Sequence, residues 1–260
     1  MTHPSRIPSI LRPAHRFPAG TLVLALAFLQ ACGGGGGGTS ATVQQAPPVT
    51  NANIAGAWIY TAPSGTVYRD LILPGTLEFR SLDSNMAEGV GTLAVNGNAV
   101  TGTITAYPPA AYAAYYPITN GTIAGTATDT SINDTATFPL GPFSASLAPD
   151  APANVSVQLA QLAGTYTADS THTSSGLGGT LTVNADGTFT LADSSGSGQG
   201  SFAQVAANLN AFTTTLTFTP TGGTAADYSG LSYQLTGSPA SIVFMTTRSS
   251  GELAGIFTKP

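Results

Sequence analysis

What most constrains the fold of this chain is an alternation of period two, in which threonines and apolar residues take turns and short turn signals cut the pattern into lengths. Leu181 and Val183 alternate with Thr180 and Thr182, Asn184-Ala185-Asp186-Gly187 reverses the chain, and Phe189 and Leu191 alternate with Thr188 and Thr190. Successive strand residues point to opposite faces, so a segment of this kind buries one face and wets the other. Leu93 and Val95 run into Asn96-Gly97, a strong hairpin signal because both residues tolerate positive φ. Phe212, Thr214, Leu216 and Phe218 share one side of a further strand, and Leu231, Tyr233 and Leu235 share one side of the next. No stretch has helical period. The pattern predicts an all-β folded part.

A short motif recurs four times, as Ile54-Ala55-Gly56, Ile123-Ala124-Gly125, Leu162-Ala163-Gly164 and Leu253-Ala254-Gly255. Ala148-Pro149-Asp150-Ala151-Pro152-Ala153 reads as a linker between the second and third copies. The organisation expected is two tandem antiparallel β-barrel or barrel-like units at residues 52–147 and 155–260, joined by residues 148–154. Each is long enough for about eight short strands. In a closed barrel the first and last strands are neighbours, so glycines at matching points would let both backbones bend at the seam. The competing arrangement is one larger sandwich or barrel without a repeat.

The N-terminus has the parts of an export signal: Arg6, Arg12 and Arg16, then the apolar run Thr21–Leu29, then the small residue Ala31 before Cys32. Nine residues at about 1.5 Å each cover about 14 Å, under half of the roughly 30 Å hydrocarbon core, so the run is too short to cross a bilayer. Leu29-Gln30-Ala31-Cys32, with the chain's only cysteine, resembles the lipobox of bacterial lipoproteins. The resemblance implies cleavage after residue 31 and acylation of Cys32, with palmitate-type chains as the lipid anchor. Gly33 in place of Asp after the cysteine implies sorting to the outer membrane, facing either the periplasm or the outside. Several acyl chains on one residue, at about 0.8 kcal/mol per buried methylene, hold a protein stably where one would not. Gly33–Gly38 and the small polar residues to Asn51 form a spacer over residues 32–51, which as a random coil reaches about 25 Å.

Removing residues 1–31 takes three of the seven basic residues and none of the twelve acidic ones, leaving a formal charge of −8. Phosphate binding runs on clustered Lys and Arg. Only Arg69, Arg80, Arg248 and Lys259 remain, so nucleic acid is excluded as a partner. Charged residues are 7% of the chain, against about 25% in an average domain, so solubility must come from hydroxyls, amides and backbone.

Gly56-Ala57-Trp58 and Gly164-Thr165-Tyr166, each opening a run of strands, resemble the Gly-x-Trp start of lipocalin- and avidin-type barrels. Gly251-Glu252-Leu253-Ala254-Gly255-Ile256-Phe257 is similar to the Glu-Leu-x-Gly-x-Phe segment near the barrel ends of transferrin-binding-protein-like surface lipoproteins. The resemblance implies a lipid-anchored barrel protein used for binding. Trp58 and Tyr166 are then core anchors or ligand-facing aromatics, with core the default at a strand start.

Candidate chemistry is sparse. Asp169-Ser170-Thr171-His172-Thr173-Ser174-Ser175 places an acid, a base and hydroxyls together, but a hydroxyl-rich loop presents no oriented base or nucleophile. No catalytic residue, cofactor or metal site is assigned, and the chain is not expected to be an enzyme. Asp186 suits its turn geometry; Asp129 and Asp134 flank a polar loop and are the weak calcium candidates. Tyr107, Tyr112, Tyr115 and Tyr116, four of nine tyrosines, lie in a segment whose Pro108, Pro109 and Pro117 bar it from a central strand. Tyrosines on a stiff loop offer contact area at low entropic cost. The segment is the candidate contact surface for a protein or glycan, or else a flap whose rings pack inward over a barrel mouth. The expected function is non-enzymatic binding or envelope interaction by an outer-membrane lipoprotein. The alternative is a lipocalin-like carrier or sensor of a small apolar ligand held in a lumen.

Overall fold

A computed structural model describes residues 51–109, 112–173 and 179–260. The expected signal sequence, Cys32 and the spacer fall outside them. Sixteen strands form two closed antiparallel barrels in tandem, each with its strands in sequence order around the wall. Barrel 1 comprises β1 (Gly56–Thr61), β2 (Val67–Ile72), β3 (Glu78–Asp83), β4 (Glu88–Asn96), β5 (Ala99–Tyr107), β6 (Thr119–Thr128), β7 (Ser131–Phe138) and β8 (Gly141–Pro149). Barrel 2 comprises β9 (Gly164–Thr173), β10 (Gly179–Val183), β11 (Thr188–Asp193), β12 (Gly196–Gln204), β13 (Phe212–Pro220), β14 (Ala226–Leu235), β15 (Ser241–Arg248) and β16 (Gly251–Thr258). β8 runs to Pro149, two residues into the expected linker, because Pro149 pairs with Trp58 at the seam.

The alternating pattern acts as expected in the β10–β11 hairpin, where Leu181 faces Leu191 and Val183 faces Phe189, all four buried. The β4–β5 ladder closes at Asn96 and Ala99, so its turn is Gly97-Asn98, one residue later than Asn96-Gly97 alone implied. On the outer wall of barrel 1, hydroxyls and amides join across strands: Thr105 to Asn120 at 2.8 Å, Thr135 to Ser144 at 2.8 Å and Ser146 to Asn133 at 2.6 Å. These ladders wet the barrel without charge. An outer wall lined with hydroxyls and amides is the reverse of the apolar outer band of a lipid-facing barrel.

Both barrels open with the same device. Gly56 and Gly164 take φ of 129° and 142°, values that side-chain-bearing residues rarely adopt. Two residues on, the Trp58 indole N–H donates to the Ile54 carbonyl at 2.8 Å, and the Tyr166 hydroxyl donates to the Leu162 carbonyl at 2.9 Å. Ile54, Trp58, Leu162 and Tyr166 are all buried, so each motif plugs the floor of its barrel with a ring whose polar end is satisfied. Of the later glycines, Gly255 lies on β16 beside the closing strand β9, next to a register shift. Gly125 lies on β6, between β5 and β7, and is not at a seam. The close approach of Asp134 and the Asn133 carbonyl explains it, since a Cβ there would meet backbone at 2.2 Å.

The barrels pack side by side. Ala57, Leu71 and Leu82 of β1–β3 meet Leu231, Tyr233, Val243, Met245 and Ala254 of β14–β16 in one buried cluster. Polar groups register the contact. Arg80 donates to Glu88 at 2.5 Å and to Thr247 of barrel 2 at 3.0 Å, while Arg69 pairs with Asp150 of the connecting segment beside the fully buried Tyr233. Asn210 donates to the carbonyls of Ala153 and Gln234 and accepts from the Gln234 N–H at 2.8 Å. Residues 150–154 are therefore a mortar between the barrels: Asp150 and Ala153 are buried, and the Asn154 amide clamps Ala57 through two bonds of 2.7 and 2.6 Å.

Candidate functional site

The ladder between β5 and β6 holds as far as Ala106 and Thr119, and the tyrosine segment projects from that point. Prolines at 108, 109 and 117 donate no hydrogen bond, so the segment closes on itself. Tyr112 N–H donates to the Pro109 carbonyl at 2.7 Å, and the amides of Tyr115 and Tyr116 both reach the Tyr112 carbonyl, at 2.8 and 3.0 Å. The rings do not fold inward over the mouth. Tyr112, Tyr115 and Tyr116 are 53%, 80% and 46% exposed, whereas Tyr107, still on β5, is half-buried.

Strand direction fixes where this surface sits. The chain enters barrel 1 at Asn51–Asn53, tied to the Gly97-Asn98 turn and to Asp129 by bonds of 2.9 and 2.8 Å. β5 runs away from that end, so the tyrosines stand at the opposite one.

There the segment faces barrel 2 across a cleft of about 350 Å3. Pro108, Tyr116 and Ile118 form one wall; Tyr228, Arg248, Glu252 and Leu253 form the other. The Arg248 guanidinium lies over the Tyr228 ring, 5.1 Å from its centre. Burial raises the pKa of the Tyr228 hydroxyl, with Arg248 opposing and Glu252 reinforcing the shift. The cleft thus combines aromatic faces, a fixed cation and a carboxylate. Two wider depressions on barrel 2, of about 900 and 980 Å3, are open and shallow.

The other sequence candidates take ordinary places. Asp186 Oδ1 accepts from the Thr188 N–H at 2.9 Å and its hydroxyl at 2.7 Å, which holds the turn and lowers the Asp186 pKa. Asp129 accepts from Asn53, while Asp134 points into barrel 1, so the two do not share a loop site. The reason is register: Asp134 is on the inward parity of β7 with Ile132 and Ala136. Among the described residues no three metal-binding side chains converge. His172 lies on β9, with its side chain outside the described residues.

Sequence reasoning missed Arg248, Tyr228 and Glu252 as partners of the tyrosines, because nothing local ties β14–β16 to a loop more than a hundred residues earlier. By fold, this is a tandem of two up-and-down eight-stranded barrels with an aromatic cleft at one end. The chain matches no family, no curated protein and no solved structure.

Proposed function

We propose that this protein is a lipid-anchored, non-enzymatic binding protein of the outer membrane, held through Cys32 and presenting the tyrosine cleft to a protein or glycan. The observation that carries this reading is the exposure of Tyr112, Tyr115 and Tyr116 beside a cleft walled by Arg248 and Glu252. Aromatic surface with one fixed cation is the composition of contact hot spots. The polarity of barrel 1 supports it further: the chain enters at one end of the barrel and the tyrosines stand at the other. Arg69 and Arg80 are engaged between the barrels and Lys259 Nζ donates to Ala163, which leaves little basic surface for nucleic acid.

The lumens favour surface binding over carriage of an apolar ligand. Barrel 2 is filled by Phe189, Phe202, Phe212, Phe244 and Phe257, and barrel 1 leaves a cavity of about 60 Å3. Drug-sized ligands occupy about 300–1,000 Å3.

Two measurements test the reading. Acyl labelling in cells is expected for the wild type and absent for Cys32→Ala; equal labelling of both overturns the anchor. Binding of the intact protein to a glycan panel and to purified envelope proteins is expected to fall at least tenfold when Tyr112, Tyr115 and Tyr116 are all changed to Ser. Unchanged binding overturns the cleft.

A further inference from the structure

Halfway up barrel 1, two carboxylates face each other across the lumen. Asp70 of β2 and Asp134 of β7 both line the cavity of about 60 Å3, under Tyr68 and Phe143 and above Ile72 and Leu147. Asp70 Oδ1 is closed to solvent and accepts no hydrogen bond. Ser81, opposite Asp70 in the β2–β3 ladder, is the hydroxyl that favours its ionised form.

Among the described residues no cation offsets this pair. Arg69 and Arg80 lie on the opposite parity of β2 and β3 and are engaged at the barrel contact. β4, β5 and β6 present Leu93, Ile104 and Ile123 to the cavity, and β8 presents Phe143, Ala145 and Leu147. The titratable neighbours are Tyr60 of β1, stacked on Tyr68 at 5.9 Å, Tyr68 itself, Asp83 of β3, which adds negative field at Tyr68, and Tyr233 of barrel 2, whose hydroxyl feels the field of Asp70. Burial raises Asp70 to about 7 and Asp134 to about 6, so near neutral pH the lumen carries negative charge.

Uncompensated charge inside a barrel is costly. The space holds about two water-sized groups, which sets the size of anything that offsets it. Two carboxylates and one hydroxyl are too few oxygens for calcium, which takes six to eight. The Tyr68 and Phe143 rings, 4.8 Å apart between centres, offer aromatic faces that attract ammonium groups. We propose that the lumen of barrel 1 binds a compact ammonium-type monovalent cation between Asp70 and Asp134, beneath Tyr68 and Phe143. The carboxylates accept its N–H donors, and the rings close over its far side.

The test is calorimetric titration of the full chain at pH 8 with methylammonium, sodium and tetramethylammonium chlorides at matched ionic strength. Saturable one-to-one binding of methylammonium is expected, at least tenfold tighter than sodium, with no saturable binding of the oversized tetramethylammonium. Protonation competes, so binding at pH 5 is expected to be at least tenfold weaker. Asp70→Asn and Asp134→Asn are each expected to weaken binding at least tenfold. Because either variant can fold poorly, the wild-type pH and size series stand as independent readouts. Absence of saturable methylammonium binding, equal binding of tetramethylammonium, or equal binding at pH 5 and pH 8 overturns the proposal.

Discussion

The two barrels share a topology and an opening motif but solve the lumen differently. Barrel 2 stacks aromatic rings edge to face in its core, Phe189 on Phe244 at 5.8 Å and Phe244 on Phe257 at 6.0 Å. Barrel 1 fills its floor with Trp58, Ile72 and Phe79, then lines the space above with two carboxylates. Close packing and a polar interior are alternatives for the same space. The difference makes the lumen of barrel 2 a packed core and leaves the lumen of barrel 1 with space and titratable groups.

The sharpest way to break that contrast is to hollow the tighter barrel. Phe244→Ala is expected to cost about 3–5 kcal/mol, since the ring is fully buried among three others. Ile132→Ala in barrel 1 is expected near the lower end of the roughly 2–5 kcal/mol range, because its side chain borders space that is already empty. Urea denaturation of both variants checks this, and equal costs would remove the distinction. The shared interface predicts one transition for both.

Next in size is the ion pair that locks the barrels together. Arg80→Met leaves Glu88 buried without its cation, at an expected cost of about 3–5 kcal/mol. Burial already raises Glu88 to about 7 against the pull of Arg80, so the cost should shrink at pH 5, where the group enters the fold protonated. Replacing both residues, Arg80→Met with Glu88→Leu, should recover most of the loss. A loss as large in the double variant as in the single one would mean that Arg80 acts through packing alone.

A smaller effect separates the lumens by pH. Asp70 and Asp134 have folded pKa values raised above the ordinary 3.8. Their protonated forms therefore favour the folded state fully below about pH 4, and that contribution is lost as pH rises towards 7. The wild type is expected to lose stability over this window in sodium buffer. The Asp70→Asn and Asp134→Asn double variant should lose less over the same window, leaving the slope due to Glu88 and Asp83, whose pKa values burial also raises. An unchanged slope would place the titration elsewhere.

These distinctions were unevenly legible in the sequence. Leu181, Val183, Phe189 and Leu191 alternate and face a lumen, so period two located them. Leu231, Tyr233 and Leu235 also alternate, yet they point outward onto barrel 1 or its margin, while Ser232 turns inward to bond Thr214 at 2.8 Å. Periodicity identifies a face but not what covers it. The signal that reads correctly in hindsight is Ile242-Val243-Phe244-Met245, apolar at both parities, as a strand covered on both sides must be. Asp134 was hidden by the same ambiguity, because one polar residue in a threonine-rich strand fits either face. The tyrosine segment was legible because prolines exclude it from the ladder, but its cleft partners were not, since they arrive from a different barrel.

The smallest expected change in stability is at the tyrosines, and it sharpens the comparison from the outside. Tyr115 is the most exposed of them, and its backbone amide, which bonds the Tyr112 carbonyl, survives substitution. Tyr115→Ala should therefore change folding stability by under about 0.5 kcal/mol, as exposed substitutions do. Tyr166→Ala, by contrast, removes a fully buried floor plug together with its bond to Leu162 and should cost about 3–5 kcal/mol. The backbone of a loop carrying three prolines holds Tyr115 out in solvent, which is what the proposed contact surface requires. If Tyr115→Ala instead unfolds barrel 1, the segment is part of the core and the contact-surface reading fails with it.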